Sequence, residues 1–112
     1  MATASRMRYT VILVPAQGDW VSAVVPAMPG CVAQGRNRDE ALANVRDAMQ
    51  DWFELEAAQG RAPVEESAAL VLSGVAQALE TLDDMRAAGE LPAGVGYGLE
   101  VTTVEMRQPI AA

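Results

Sequence analysis

Few residues of this chain could carry out chemistry. The 112 residues include no histidine, which removes the usual acid–base group at neutral pH and the commonest transition-metal ligand. Cys31 is the only cysteine, and with no histidine to activate it we expect it to pack in the core. The glycines at 94, 96 and 98 lack the preceding strand and following helix of a phosphate-binding loop. We therefore predict no catalytic residue, no metal site and no cofactor.

One group of carboxylates has a spacing that suggests a role. Asp47, Asp51 and Glu54 follow one another at i, i+4 and i+7, so they share one face if this segment is helical. Such a face suits a basic partner, although it is also typical of an ordinary solvated helix surface. Trp20 comes directly after a turn and is an aromatic residue of the kind favoured at interfaces. Asp47, Asp51, Glu54 and Trp20 are thus the predicted partner-binding residues.

Charge is distributed unevenly along the chain. Residues 1–38 hold four arginines and one acid, a net charge of +3, whereas residues 39–112 hold four arginines and fourteen acids, a net charge of −10. Nucleic-acid binding draws much of its affinity from basic residues, so we do not expect DNA to be the partner. A basic protein would be attracted, and the acidity also favours solubility.

Three extended runs and a helix are predicted in the first half. Residues 8–14 and 20–25 read as a β-hairpin, and both faces of the first run are apolar. Prolines make a corner over residues 26–30, and residues 31–35 form a short third strand. Asn37 followed by Glu40 has the form of a capping box, and apolar residues then recur at helical spacing to about residue 58. Gly60 is the expected terminator.

The second half adds a helix and a strand. Val75, Leu79, Leu82 and Met85 mark a helix, whereas residues 67–74 fit either a helix or a strand. Residues 99–107 alternate as a last strand. The order β-β-β-α-α-β predicts an α+β two-layer sandwich, a mainly antiparallel sheet with both helices on one face.

Length and composition favour one domain over residues 1–112, with residues 1–7 disordered and residues 108–112 a tail. A single cysteine, no signal-peptide pattern and no membrane-length apolar run predict a cytoplasmic location. A small sheet with an edge strand and a Trp-bearing hairpin also commonly pairs with itself, so we expect a homo-oligomer, a dimer or a tetramer.

The first sixty residues resemble the HicB antitoxin family. The corner Pro-Ala-Met-Pro-Gly-Cys at residues 26–31 matches a Pro-Asp-Leu-Pro-Gly-Cys-like motif, and residues 34–41 match a Gln-Gly-x-Thr-x-x-Glu-Ala-like helix start. Two anchored motifs at the right separation make the match fairly specific, although Ala27 replaces the usual acid and Asn37 the usual threonine. The motif residues expected to shape the fold are Pro26, Pro29, Gly30, Cys31, Gly35, Asn37 and Glu40.

The resemblance implies a truncated ribonuclease-H-like core that catalyses nothing and neutralises a small basic ribonuclease toxin, HicA. The first three predicted strands hold none of the carboxylates that a metal-dependent nuclease would need. Family members that repress their promoters carry a DNA-binding unit after this core, and since five residues follow Arg107 we expect none here. The alternatives are an orphan homo-oligomer with an unassigned binding role and, less favoured, a small-molecule-binding or enzymatic domain.

Overall fold

Six elements appear in the predicted order. The structure is a computed structural model that describes residues 6–16, 18–61, 65–90 and 98–107. The elements are β1 (Arg6–Pro15), β2 (Val21–Val24), β3 (Val32–Gly35), α1 (Arg38–Ala58), α2 (Ala68–Ala87) and β4 (Glu100–Arg107). The ambiguous residues 68–74 belong to α2, which begins after the cap Ser67, whose hydroxyl accepts from the Leu70 N–H.

The four strands form one antiparallel sheet in the order β3-β2-β1-β4. β1 is central and pairs Ile12 with Val24 on one side and Thr10 with Thr103 on the other. The predicted α+β class and antiparallel sheet are confirmed. β1 begins at Arg6, so residues 6 and 7, which were expected in a disordered segment, extend the pairing with β4. Residues 1–5 and the predicted tail at 108–112 lie outside the described residues.

The larger core lies between α1 and one face of the sheet. Alternate residues of β1 on this face are fully or almost fully buried. They pack in one cluster with the apolar stripe of α1, which recurs every four residues, about one turn of the helix. The main members are Tyr9, Val11, Leu13, Ala41, Val45, Met49 and Phe53.

The second helix covers the opposite face of the sheet. Ile12 and Val14 alternate with the α1-facing residues and form a separate cluster with Leu82 of α2. The prediction that both helices lie on one face is therefore wrong, and the layers are helix, sheet and helix. The physical reason is that β1 is apolar on both faces, so each face must be removed from water by its own helix.

Gly74 lets α2 come close to the sheet. A Cβ added there would lie 2.7 Å from Cγ of Pro26 and 3.1 Å from Cδ1 of Ile12, so only a glycine fits without movement. Pro26 thus packs beneath α2 as well as shaping the corner.

Candidate partner-binding surface

The predicted acidic residues form an exposed stripe on α1. Asp47, Asp51 and Glu54 are exposed, and the buried residues of the helix, such as Val45 and Met49, lie on its opposite side. The shared face predicted from their spacing is therefore present. We call these three carboxylates the acidic stripe.

Trp20 lies on a different part of the molecule. Its side chain is 43% exposed, and the Arg36 guanidinium lies 5.8 Å from the centroid of its ring, within the range of a cation–π contact. Trp20 also lines a groove of about 1010 Å³ between α2 and the sheet. Since the acidic stripe lies on the outer side of α1, across the sheet from α2, the structure does not bring Trp20 and the stripe together.

The groove is open because α2 packs mainly on β1 and leaves part of β2 and β3 uncovered. Its walls are Val24 and Val32 from the strands and Leu70 and Gln77 from the helix. Val32 and Leu70 are 49% and 40% exposed. The groove therefore joins apolar surface to a few polar groups, a combination that sequence patterns could not reveal because its walls are distant along the chain.

The corner at residues 25–31 is two successive β-turns. Met28 N–H donates to the Val25 carbonyl at 3.0 Å, and Cys31 N–H donates to the Met28 carbonyl at 2.9 Å. Pro29 and Gly30 are the central residues of the second turn, and Gly30 has φ +83°, which a type II turn requires at that position. Both prolines and Gly30 therefore have the structural roles predicted for them.

Cys31 closes this corner and is buried, with 4% of its surface exposed. Burial raises the pKa of its thiol, so the protonated, weakly nucleophilic form is favoured. The residue packs in the main core cluster, as the sequence predicted. Among the described residues, no group of three or more His, Cys, Asp or Glu side chains is placed to hold a metal ion.

The start of α1 is fixed by the second predicted motif. Asn37 Oδ1 accepts from the Glu40 N–H at 2.8 Å, which confirms the cap. The Glu40 carboxylate accepts from the N–H of Arg36 at 3.3 Å. In a capping box this donor would be the N–H of the cap residue Asn37, so the observed bond is displaced by one residue. A Cβ added to Gly35 would overlap the backbone nitrogen of Ala41. Gly35 is therefore needed for the close approach of β3 to this helix start.

Arg38 connects the start of α1 to β4. Its Nε lies 2.8 Å from both carboxylate oxygens of Glu100, and its side chain also reaches Asp39 at 3.5 Å. The hydrogen bond that Arg38 donates lowers the pKa of the Glu100 carboxyl. This exposed pair connects α1 with β4 through two residues that are 62 positions apart in the chain.

Glu66 has a structural role that its sequence context does not indicate. Its two carboxylate oxygens accept from the backbone N–H and the hydroxyl of Thr10, at 2.6 and 2.9 Å. Thr10 lies beyond the end of the β1–β2 pairing, so the carboxylate replaces the strand that is missing there. Nothing local in the sequence indicates Thr10 as the partner of Glu66.

Neither described helix is long and apolar enough to cross a lipid bilayer. No protein-family model matches the chain. It is 40% identical over 48 residues to the UPF0150 protein Ta0767 of Thermoplasma acidophilum, and this match covers 43% of the chain and 70% of that protein.

The fold is similar to the crystal structure of the N-terminal domain of the Burkholderia pseudomallei antitoxin HicB. The TM-score is 0.54 at 19% identity, and the match covers 89% of this chain and all of that domain. At this identity the likeness shows the fold. Together with the motifs at residues 26–31 and 34–41, these matches confirm the resemblance found in the sequence. The chain belongs to the UPF0150 family, and it is a HicB-like protein with the fold of the HicB antitoxin N-terminal domain.

Proposed function

We propose that the chain is a non-catalytic antitoxin that binds and neutralises a small basic ribonuclease of the HicA type in the cytoplasm. The observation that carries the proposal is the acidic stripe, which a HicB-like fold presents on the outer side of α1. A basic RNA-binding surface attracts phosphates, and carboxylates docked on it would take their place. Trp20 is a second contact, separate from the stripe.

The stripe suits protein binding better than catalysis. Its carboxylates are exposed at one-turn spacing on a single helix face, whereas a catalytic site brings a few polar groups together in a partly enclosed pocket. An inhibitor that covers the RNA-binding surface of a ribonuclease needs only complementary charge and shape. The inhibitor would therefore act in a fixed ratio to its target.

The first test is native mass spectrometry of the tagged full chain, purified gently from its source cells. The proposal predicts a second, small, basic chain in fixed ratio, with ribonuclease activity that appears only after the two chains are separated. Recovery of copies of this chain alone would contradict the proposal and favour the orphan homo-oligomer.

A matched pair of charge reversals then tests the stripe. Asp47→Lys with Asp51→Lys should raise the dissociation constant for the captured ribonuclease on the order of a hundredfold, since it changes two attractions into repulsions at an interface. The control is Glu80→Lys with Asp84→Lys, which makes the same change in net charge at the same spacing on the exposed face of α2. Equal effects of the two double variants would show that the stripe has no specific role.

A further inference from the structure

β4 is an edge strand of the sheet and is left open. It pairs with β1 over eight residues, and within residues 6–16, 18–61, 65–90 and 98–107 no strand lies on its other side. The opposite edge, β3, has only four residues, and Asn44 Nδ2 donates to its Gln34 carbonyl at 2.8 Å. An edge is commonly protected when it is short or capped, so the two edges differ in their readiness to pair.

The outward backbone groups of β4 follow from the position of Thr10. Its N–H donates to Glu66, on the side away from β4, so the pair Thr10–Thr103 is not a hydrogen-bonded pair of the antiparallel ladder. The N–H and carbonyl of Thr103 therefore point away from β1. Because the pattern alternates, those of Val101 point the same way. These are the groups that a further strand would bind.

Exposed apolar side chains lie beside this open edge. Val101 pairs with Ile12, on the sheet face that α2 covers, and is 49% exposed. Leu72 and Leu79 of α2 are 69% and 42% exposed. They lie roughly 150° around the helix from Gln77, which lines the groove over β2 and β3, so they are on the flank toward β4. The open edge and an apolar flank thus form one surface.

A second copy of this chain would present the same open strand and the same apolar flank, and charge favours β4 over β3 as the edge where two copies pair. α1 packs on β2 and β3, so pairing through β3 would bring two acidic helices side by side. Pairing through β4 separates them by at least five strand spacings, about 24 Å, which exceeds the Debye length of about 8 Å at physiological salt. Val101 and Thr103 carry no charge, Glu100 is paired with Arg38, and Glu105 lies opposite Arg8 in the pairing with β1. Repulsion between copies of net charge −7 is therefore smaller for pairing through β4 than for pairing through β3.

We propose that β4 is the seam of a symmetric dimer, in which two β4 strands pair antiparallel with Thr103 on or beside the twofold axis. The sheet then continues through eight strands, and the apolar flanks of the two α2 helices lie on the same face of it. Both acidic stripes remain exposed. The dimer does not depend on the proposed toxin, and its test does not use it.

Two valines provide a matched test by sedimentation velocity of the full chain. Val101 and Val32 are equally exposed, at 49%, and each lies on an edge strand on the α2 side of the sheet. The unmodified chain should be a dimer. Val101→Glu, which would lie opposite Glu105 of the second copy, should raise the dimer dissociation constant about thirtyfold or more, whereas Val32→Glu should leave it within about threefold. A monomeric unmodified chain, or equal effects of the two glutamates, would overturn the proposal.

A second variant controls for a folding defect in Val101→Glu. Thr103→Pro removes an outward N–H and leaves the hydrogen bonds to β1 in place, as a proline on an edge strand can. It should give a monomer with the far-ultraviolet circular dichroism of the original chain. A Thr103→Pro protein that keeps this spectrum and remains dimeric would refute the seam. Since neither assay measures ribonuclease inhibition, failure here and failure of the antitoxin proposal are separate results.

Discussion

Removing the Glu66 carboxylate should destabilise the fold through Thr10. Thr10 is only 7% exposed, and Glu66 accepts from both its N–H and its hydroxyl. Glu66→Ala leaves two nearly buried donors without this acceptor, and each unsatisfied buried donor costs about 1–3 kcal/mol. Because the hydroxyl can rotate toward another acceptor, we expect a total loss of about 2–4 kcal/mol. That is a large part of the roughly 5–15 kcal/mol that stabilises a domain.

Urea unfolding followed by circular dichroism measures this loss, at one fixed protein concentration because a dimer makes stability concentration-dependent. Glu66→Gln keeps one carbonyl oxygen as acceptor, so it should lose about half as much as Glu66→Ala. Glu65 is the adjacent exposed acid, and Glu65→Ala should stay within about 0.5 kcal/mol of the original chain. The reasoning is refuted if Glu66→Ala matches the original chain, or if Glu65→Ala is equally damaging.

Two further stability predictions follow from the start of α1. Gly35→Ala should cost about 3 kcal/mol in the same unfolding assay, because its Cβ would overlap the Ala41 nitrogen and displace the helix; a loss under about 1 kcal/mol would contradict this. Arg38 lowers the pKa of Glu100, so their pair contributes stability above the unfolded-state pKa of about 4.3, and this is lost as pH falls through the lowered pKa. The difference in melting temperature between the original chain and Glu100→Gln should therefore be present at pH 7 and shrink as pH falls below the unfolded-state pKa, and a difference independent of pH would refute the assignment.

Local signals predicted the parts of the fold that adjacent residues determine. The cap at Asn37 places its acceptor three residues from its donor, so the start of α1 could be inferred directly. Pro29 and Gly30 have backbone preferences that specify a turn without any distant contact. The exposed stripe followed for the same reason, because helical spacing alone decides which residues share a face.

Contacts between distant residues decided what could not be predicted. Glu66 and Thr10 are 56 positions apart, and an acidic residue in a loop gives no sign of its partner. Gly74 fits under Pro26 only once α2 is known to cross that corner. The apolar character of both faces of β1 indicates two covering layers, whereas the order of the elements alone predicts a two-layer sandwich. The separation of Trp20 from the acidic stripe likewise depends on which face each element covers.

The most direct test of the antitoxin proposal is a titration of the captured ribonuclease with this chain, followed by RNA cleavage. A stoichiometric inhibitor predicts that activity falls linearly to an end point at a fixed whole-number ratio and does not fall further with longer incubation. Full ribonuclease activity in the presence of excess chain would contradict the proposal. So would loss of activity at far less than one chain per ribonuclease, because that would require catalysis by this protein.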